Sequence, residues 1–220
     1  MMGMRILVLG ATGRTGKHIV AHALAKGYQV NCLVRDPEKV VPATNLKILE
    51  GNTTCSADLD RAIQGCSVII SALNISRTSD FPFSPLRTPK DFLSKTMANT
   101  ISVAEKNSIK SVVICSAWGV AETRKAIPFW FRWTIDFSNI RYAYIDHEKQ
   151  EALLEKSNMD WIIVRPVGLT NGRRNQKIIE SFQNRPKPKL TINRKSVAKY
   201  MVDSLYENNL IRKKVVISKG

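Results

Sequence analysis

The stretch Arg5-Ile-Leu-Val-Leu-Gly-Ala-Thr-Gly-Arg-Thr-Gly-Lys-His-Ile-Val20 decides the fold of this chain. The apolar run at positions 6–9 is typical of a strand that is buried on both faces. Three glycines follow at once, at positions 10, 13 and 16, and apolar residues then recur at helical spacing until Gly27, a residue type that commonly ends a helix. The stretch therefore predicts a buried strand, a tight glycine turn and a helix.

The glycine turn predicts a binding site for the pyrophosphate of a dinucleotide. Residues without a Cβ let the backbone reverse sharply and let an anion approach main-chain N–H groups at the positive end of the following helix. The spacing is G-x-x-G-x-x-G and not the commoner G-x-G-x-x-G, so the prediction depends on the flanking strand and helix. A plain βα turn is the alternative. The dinucleotide contacts expected here are Gly10, Ala11, Thr12, Gly13, Arg14, Thr15 and Gly16.

The tip of the second predicted strand, at Arg35, indicates which dinucleotide binds. In such folds a residue about 20 positions beyond the glycines lies beside the adenosine ribose, where a carboxylate favours NAD and an arginine accommodates the 2′-phosphate of NADP. Arg35 can bind that phosphate and Arg14 adds a second cation, so NADP(H) is favoured over NAD(H). Asp36 keeps NAD open, and a solvated loop arginine is the other alternative for Arg35.

Strand and helix patterns alternate along the rest of the chain. Strands are predicted over residues 29–34, 46–51, 66–72, 110–115, 160–166 and 215–218. Helices are predicted over residues 56–64, 92–107, 146–156, 176–183 and 196–207, and the proline-containing segment 74–90 is predicted to be a lid-like loop. This alternation predicts an α/β Rossmann fold, a doubly wound parallel sheet in a three-layer α/β/α arrangement. We expect one NAD(P)-binding domain over residues 1–220, with its substrate-facing part contributed by about 120–146 and 167–194.

Several small or polar residues fall at the carboxyl ends of predicted strands, where open α/β sheets bind ligands. Ser116 follows the fifth strand, where a hydroxyl can hold or polarise a substrate carbonyl beside the nicotinamide; an ordinary serine of a strand-end turn is equally consistent. Asn52 is either a ligand contact or a turn former. The cofactor contacts expected at these strand ends are Asn52, Ser71, Ala72, Leu73, Ser116, Pro166 and Val167.

Aromatic residues are concentrated between positions 129 and 144, outside the predicted strands. Such a concentration predicts either a wall over a planar ligand or a contact between subunits. The alternative is that these side chains simply pack onto the sheet.

Composition and charge narrow the possible partners. The 220 residues carry 34 Lys and Arg against 18 Asp and Glu, a net charge of +16 that is spread over several elements without a recognised nucleic-acid module. A nucleic-acid partner is therefore not expected, and a solvated basic surface is favoured. We expect no signal peptide and no membrane span, the cysteines are irregularly spaced, and His18 and His22 lack a carboxylate at metal spacing. We expect a cytoplasmic monomer or homodimer without a metal or a membrane partner.

The glycine turn, the Arg35 tip, Ser116-Ala117 and the strand Asp160-Trp-Ile-Ile-Val-Arg-Pro166 together resemble the atypical short-chain dehydrogenase/reductases over nearly the whole chain. Within that group the chain is similar to the NmrA-like proteins and to the small flavin reductases related to biliverdin reductase B, since an Asp146-His147 pair begins the helix before the last core strand. The resemblance implies an NAD(P)-binding Rossmann fold and hydride transfer to a flavin, quinone or similar small conjugated acceptor.

The chain departs from typical short-chain dehydrogenases in its acid–base residues. Those enzymes carry Tyr-x-x-x-Lys, whose lysine lowers the tyrosine pKa from one helical turn away. Here Tyr144 is followed by Glu148 at that spacing, and Lys149 lies five positions away, so alcohol oxidation by a tyrosine is not expected. The candidate catalytic residues are Ser116, Tyr144 and His147, the last being either a proton donor or a histidine of a solvated helix turn. An NmrA-like redox sensor that binds NADP without turnover is the alternative function.

Overall fold

The apolar run after Met4 forms a central strand of an eight-stranded sheet. The computed structural model describes residues 3–172 and 174–220. Its strands are β1 (Arg5–Leu9), β2 (Gln29–Val34), β3 (Leu46–Glu50), β4 (Val68–Ser71), β5 (Ser111–Cys115), β6 (Asp160–Pro166), β7 (Gly168–Thr170), β8 (Ile178–Ser181), β9 (Thr191–Asn193) and β10 (Lys213–Lys219). The main sheet has the order β3-β2-β1-β4-β5-β6-β10-β8, and β7 pairs with β9 separately. All pairs in the main sheet are parallel except β10 with β8.

Helices cover both faces of this sheet. They are α1 (Gly16–Ala25), α2 (Ser56–Ile63), α3 (Phe92–Lys106), α4 (Phe129–Asp136), α5 (Ile140–Glu155) and α6 (Arg194–Asp203). Ile6 and Val8 of β1 pack in one buried cluster with α1 and α6, whereas Leu7 and Leu9 pack in the other with α2, α3 and α5. This alternation follows from the opposite directions of successive side chains in a strand. The predicted doubly wound sheet and three-layer arrangement are confirmed.

The predicted helix over residues 176–183 is wrong, because this segment contains strand β8. Ile178 pairs with Lys219 and Ser181 with Val216 in an antiparallel ladder. The edge of β10 would otherwise expose unpaired main-chain groups, and β8 satisfies them. The helical reading failed because the pairing partner lies some 35 positions further along the chain, where no local pattern can indicate it. The short strands β7 and β9 were likewise not predicted.

The helix predicted over residues 146–156 begins earlier than expected, at Ile140, and α4 precedes it within the aromatic segment. Ala143 in its first turns is buried against Leu93 of α3 and Ile75. This packing extends the helix by about one and a half turns beyond what the local sequence indicated. Asp146 and His147 therefore lie inside α5 and not at its start.

Candidate cofactor and substrate site

The glycine turn joins β1 to α1 through close backbone contacts. At Gly16 an added Cβ would lie 2.0 Å from the carbonyl oxygen of Gly10, well inside any allowed contact. Gly10 itself has a φ of +83°, and a Cβ there would lie 3.0 Å from the main chain of Ala72. The turn is therefore held tightly against α1 on one side and against the end of β4 on the other.

The start of α1 offers main-chain donors to an anion. No side chain caps the helix at Thr15, and within the described part of the chain the N–H groups of Arg14, Thr15 and Gly16 have no backbone acceptor. Thr12 and Gly13 are exposed at the tip of the turn, so solvent reaches it. Unpaired N–H groups at a helix N-terminus bind phosphate groups well. These residues thus fit the pyrophosphate of a dinucleotide, with Ala11 buried beneath them.

Three arginines lie around the glycine turn. Arg14 donates two hydrogen bonds of 2.7 Å to the carboxylate of Asp80. Arg77 and Arg194 lie close enough for their pKa values to be affected: burial lowers both, and the Arg14 charge lowers both further. The Asp80 carboxylate pairs with Arg14, and the charges of Arg77 and Arg194 also act on it, so this region carries an excess of positive charge suited to a phosphate. Arg77 and Arg194 were not predicted as site residues, because they belong to distant segments.

Residues 76–88, called the strap below, cross the carboxyl edge of the sheet. The strap folds back on itself as a short hairpin. One side of its tip is held by Asp80 on Arg14, and the other by Asn139, whose main-chain N–H donates to the carbonyl of Pro82 at 3.0 Å. Arg14 belongs to the glycine turn and Asn139 directly precedes α5. The strap therefore spans the cleft between these two elements.

Arg35 lies exposed at the carboxyl end of β2 and makes no ion pair with any described residue. The neighbouring Asp36 instead pairs with Lys39 at 2.7 Å, and the hydrogen bond from Lys39 holds the pKa of Asp36 below its ordinary value. The guanidinium at this tip is thus available to an incoming group, whereas the carboxylate beside it is engaged.

The expected contacts at the ends of β3 and β4 differ in how available they are. Ser71 is buried, while Ala72 and Leu73 are partly exposed beside the glycine turn. The side-chain oxygen of Asn52 accepts hydrogen bonds from the N–H and the hydroxyl of Thr54, both at 3.0 Å. Asn52 therefore forms a local turn, which is one of its two expected roles.

The hydroxyl of Ser116 belongs to a buried ion-pair network below the cleft. It donates a 2.5 Å hydrogen bond to the carboxylate of Glu151 on α5. The same carboxylate accepts hydrogen bonds from the guanidinium of Arg165 on β6, one of them from Nε at 3.0 Å. Arg165 in turn donates to Glu122 in the segment after β5. The hydroxyl of Ser116 thus donates its hydrogen bond to a carboxylate, which holds the side chain in one orientation.

Arg165 is 1% exposed, and Glu151 beside it is equally buried. Burial alone would lower the pKa of Arg165, but its hydrogen bonds to Glu151 and Glu122 raise it. The guanidinium therefore stays charged inside the protein, and two carboxylates compensate it. This network was not predicted; its one local signal in the sequence is an arginine, Arg165, at the end of an otherwise apolar strand.

The end of β6 is tied to its neighbours by main-chain hydrogen bonds. The carbonyl of Pro166 accepts from the N–H of Trp118 at 3.0 Å, and Val167 donates to Ile217 of β10 at 3.2 Å. Both expected contacts are buried. They form the floor between the β5 loop and the segment that follows β6.

A cavity of about 460 Å³ lies between the loop after β5 and helices α4 and α5. Tyr144 lines it, and its hydroxyl donates to the carbonyl of Trp118 at 3.2 Å. Burial raises the pKa of Tyr144, so the phenol stays protonated. Lys149 is exposed, and Arg124 and Arg141 are the cations that line the cavity. Tyr144 therefore lies beside the cleft without a lysine partner.

Asp146 and His147 are both buried, which excludes the solvated-turn interpretation of His147. Asp146 accepts hydrogen bonds from the N–H and hydroxyl of Ser94 and from the N–H of Leu93, and so caps the start of α3. Burial, with a further contribution from Arg165, lowers the pKa of His147 to about 4. His147 is therefore neutral near pH 7 and is a poor proton donor there.

Within residues 3–172 and 174–220, no set of three or more His, Cys, Asp and Glu side chains could hold a metal ion. All four cysteines are free thiols. None of the helices within these ranges combines the length and the apolar character that crossing a bilayer requires.

Comparison with known proteins finds a matching family and several relatives. A family described as NAD(P)H-binding matches residues 10–208. The photosystem II assembly factor Ycf39 of a Synechocystis strain is 27% identical over 219 residues, and that of Trieres chinensis is 26% identical over 185 residues. These alignments cover 96% and 83% of this chain but 61% and 51% of the relatives. The chain thus spans about half to three fifths of their length.

Two solved structures share the fold closely. A short-chain dehydrogenase/reductase from Veillonella parvula, in complex with NADP, superposes with a TM-score of 0.81 at 18% identity, covering 99% of this chain and 95% of that one. ChuY from Escherichia coli O157:H7, described as an anaerobilin reductase, superposes with a TM-score of 0.79 at 19% identity, covering 98% and 97%. At this identity the likeness concerns the fold.

Proposed function

Because this chain belongs to the NAD(P)H-binding family, we propose that it is an NADPH-dependent reductase that transfers a hydride to a small conjugated acceptor such as a flavin or a quinone. One observation carries the proposal. The glycine turn, with its unpaired main-chain donors, lies at the same sheet edge as a cavity that contains a tyrosine without a lysine partner. Such a site can bind and orient two reactants, but it lacks the usual group for oxidising an alcohol.

In this proposal the residues of the glycine turn hold the cofactor. The N–H groups of Arg14, Thr15 and Gly16 bind the pyrophosphate, and Arg77 and Arg194 add positive charge. The partly exposed Ala72 and Leu73 lie beside the turn, where they can contact the ribose. When bound, the nicotinamide supplies the hydride.

The acceptor side of the site presents side chains that are held in fixed orientations. The hydroxyl of Ser116 donates its hydrogen bond to Glu151. Towards an acceptor molecule its oxygen can therefore accept a hydrogen bond, but the hydroxyl is a weak donor. Arg141 at the cavity can stabilise negative charge on a reduced acceptor, which removes the need for a protonated histidine, whereas Arg124 is already paired with Asp136. Proton uptake by a reduced flavin or quinone can come from solvent. Positioning is therefore the main contribution of the protein.

The proposal is tested by following NADPH oxidation with a panel of flavins, quinones and linear tetrapyrroles. We expect turnover with at least one acceptor class, and loss of that turnover in Gly16→Ala. The matched control is Gly27→Ala at the other end of α1, where the added Cβ meets no atom within 4 Å but strains a φ of +81°, so that the control tests a destabilising glycine substitution away from the turn. Absence of turnover with every acceptor, in a protein that binds NADPH, would reject the reductase.

A redox sensor is the second candidate. Two observations support it on the acceptor side: the hydroxyl of Ser116 already donates to Glu151, and His147 is neutral. On the cofactor side, a bound phosphate would compete with Asp80 for Arg14. The name of the Ycf39 relatives, assembly factor, also describes a role other than catalysis. In this function the chain binds NADP without turnover and passes its redox state to a partner through the strap.

Protection of the strap from hydrogen exchange distinguishes the redox sensor from the reductase. A sensor should show different hydrogen exchange over residues 76–88 with NADPH and with NADP⁺, without oxidising NADPH. A reductase should show turnover, and the same protection with either redox form.

A further inference from the structure

Helix α4 carries exposed aromatic residues on its outer face, next to Arg132 and Asp136. Phe131 and Ile135 point inward and pack on the core. On the other side Phe129, Trp130 and Trp133 are more than half exposed, from 53% for Trp133 to 72% for Phe129. A surface helix normally carries mostly charged or polar residues there, and several large apolar side chains exposed together normally mark an interaction surface. The outer face of α4 therefore lacks the partner that its composition indicates.

The strap extends this apolar surface. Phe81 and Phe83 at its tip are exposed, with ring centroids 5.6 Å apart. The side-chain amide of Asn139, two residues beyond the exposed Phe137, donates to the carbonyl of Phe83 at 2.9 Å. The strap tip thus lies against the end of α4. We call this surface the aromatic face; it consists of Phe81, Phe83, Phe129, Trp130, Trp133 and Phe137.

The two segments that carry the aromatic face, residues 77–90 and 121–145, have an excess of positive charge. They contain seven Lys or Arg and three Asp or Glu. Each of the three acids is neutralised by an arginine. The remaining cations make no ion pair with any described residue; they are Arg77, Arg87, Lys90, Lys125, Arg132 and Arg141.

Some of these cations are held close to aromatic rings. The guanidinium of Arg132 lies 5.6 Å from the ring centroid of Phe129. Lys90 and Arg141 both lie over the ring of Tyr142, at 4.2 and 4.9 Å. Exposed Phe and Trp side chains with unpaired Lys and Arg around them are the combination that binds the interface of an anionic bilayer.

We propose that the aromatic face docks on the surface of an anionic lipid bilayer. The aromatic side chains are exposed on a helix and on a hairpin tip with cations around them, an arrangement that fits the interface of an anionic bilayer. A second copy of this chain is disfavoured because it would bring a net charge of +16 against the same cations. No spanning segment is needed, so this proposal revises only the expectation of no membrane partner.

Docking would place the cavity mouth at the membrane surface. Ile145 and Asp136 line the cavity, and Asp136 belongs to the helix that carries the aromatic face. The binding itself does not depend on the proposed reductase activity, since it needs neither cofactor nor acceptor.

Vesicle binding tests the proposal on the whole chain. The probes are sedimented vesicles of phosphatidylcholine alone and of phosphatidylcholine mixed with phosphatidylglycerol. We expect binding to the anionic vesicles, weakened at least about tenfold in Trp130→Ser/Trp133→Ser and unchanged in the control Val41→Ser/Leu190→Ser, which removes two exposed apolar side chains elsewhere. A similar loss is expected in Arg132→Glu/Arg141→Glu but not in Arg212→Glu/Lys213→Glu.

Intrinsic fluorescence provides a second readout. Trp118 and Trp161 are buried, whereas Trp130 and Trp133 are exposed, so a blue shift on adding vesicles reports insertion of the aromatic face. No binding to anionic vesicles at low salt would overturn the proposal. So would equal binding by the tryptophan double variant, which would indicate non-specific adsorption of a basic protein. Concentration-dependent dimerisation that this variant abolishes would assign the face to a second copy instead.

Discussion

The glycine turn and the carboxyl ends of β5 and β6 lie at one edge of the sheet, but they are constructed differently. The turn consists of consecutive residues fixed by backbone contacts, such as the approach of Gly16 to the carbonyl of Gly10. At β5 and β6 the side chains of Ser116, Glu151 and Arg165 come from three separate elements and hold one another through buried hydrogen bonds. The main-chain donors for the pyrophosphate are therefore supplied by one short stretch of the chain, whereas the proposed acceptor side depends on long-range contacts. Variants that affect one region and spare the other test this distinction.

The largest effect is expected from Arg165→Met. This change leaves the carboxylate of Glu151 buried without its cation and should destabilise the protein by about 3–5 kcal/mol, as measured by urea unfolding. The double variant Arg165→Met/Glu151→Met removes both charges and should recover most of that loss. A single variant as stable as the wild type would show that the network does not hold this region together.

A pH dependence is expected from His147. Its pKa is about 4 in the folded protein and about 6.5 in a model peptide. Between these values the unfolded chain binds the proton and the folded chain does not, so stability falls as the pH drops from about 6.5 to 4, by at most about 3 kcal/mol. Urea unfolding at several pH values should show that the free energy of unfolding depends less steeply on pH in His147→Gln than in the wild type. An equal pH dependence in the two proteins would show that His147 is not the group responsible.

Arg35→Glu should change cofactor preference without affecting the fold. In the proposed complex Arg35 donates a charge-assisted hydrogen bond to the 2′-phosphate, and the loss of such a bond costs about 1.5–3 kcal/mol, so NADPH should bind roughly 10- to 100-fold more weakly while NADH binding is retained. Lys213→Glu, with the same charge change on β10, is the control. Calorimetric titration of both cofactors measures the effect. An unchanged NADPH preference would remove Arg35 from the site.

The smallest effect is expected from Tyr144→Phe. The Tyr144 hydroxyl donates to the Trp118 carbonyl and has no lysine beside it, so the variant should lose about 1 kcal/mol of stability and change kcat for NADPH oxidation less than about threefold. A proton-donating tyrosine would instead be worth roughly 10²–10⁴-fold. A loss of that size would restore Tyr144 as a catalytic acid.

The sequence was most informative where the structure is local. The β1 strand, the glycine turn and α1 follow from consecutive residues, and the NAD(P)H-binding family that they predicted is confirmed over residues 10–208. The roles of Asp146 and Arg165 could not be predicted, because each depends on a partner from another element. Asp146 has the pattern of a residue that starts its own helix, but it caps α3 instead. The hydrophobic periodicity of one element does not show which residue of another element a side chain will contact.

The exposed surface of α4 could not be predicted for the same reason, because it depends on contacts with other elements. Its aromatic residues were predicted to cover a ligand, to meet a subunit or to pack on the sheet, and the helix in fact divides them between its two faces. Phe131 packs inward, while Trp130 and Trp133 stay exposed. Only the position of α4 against α5 shows which residues remain uncovered.

Calorimetric titration of NADPH into the wild type, Gly16→Ala, Gly27→Ala and Tyr144→Phe tests the central claim most directly. We expect the wild type, Gly27→Ala and Tyr144→Phe to bind NADPH with similar affinity, and Gly16→Ala to lose binding, because its Cβ would lie 2.0 Å from the Gly10 carbonyl oxygen. Absence of NADPH binding by the wild type, or equal binding by a folded Gly16→Ala protein, would contradict a cofactor site built on the glycine turn.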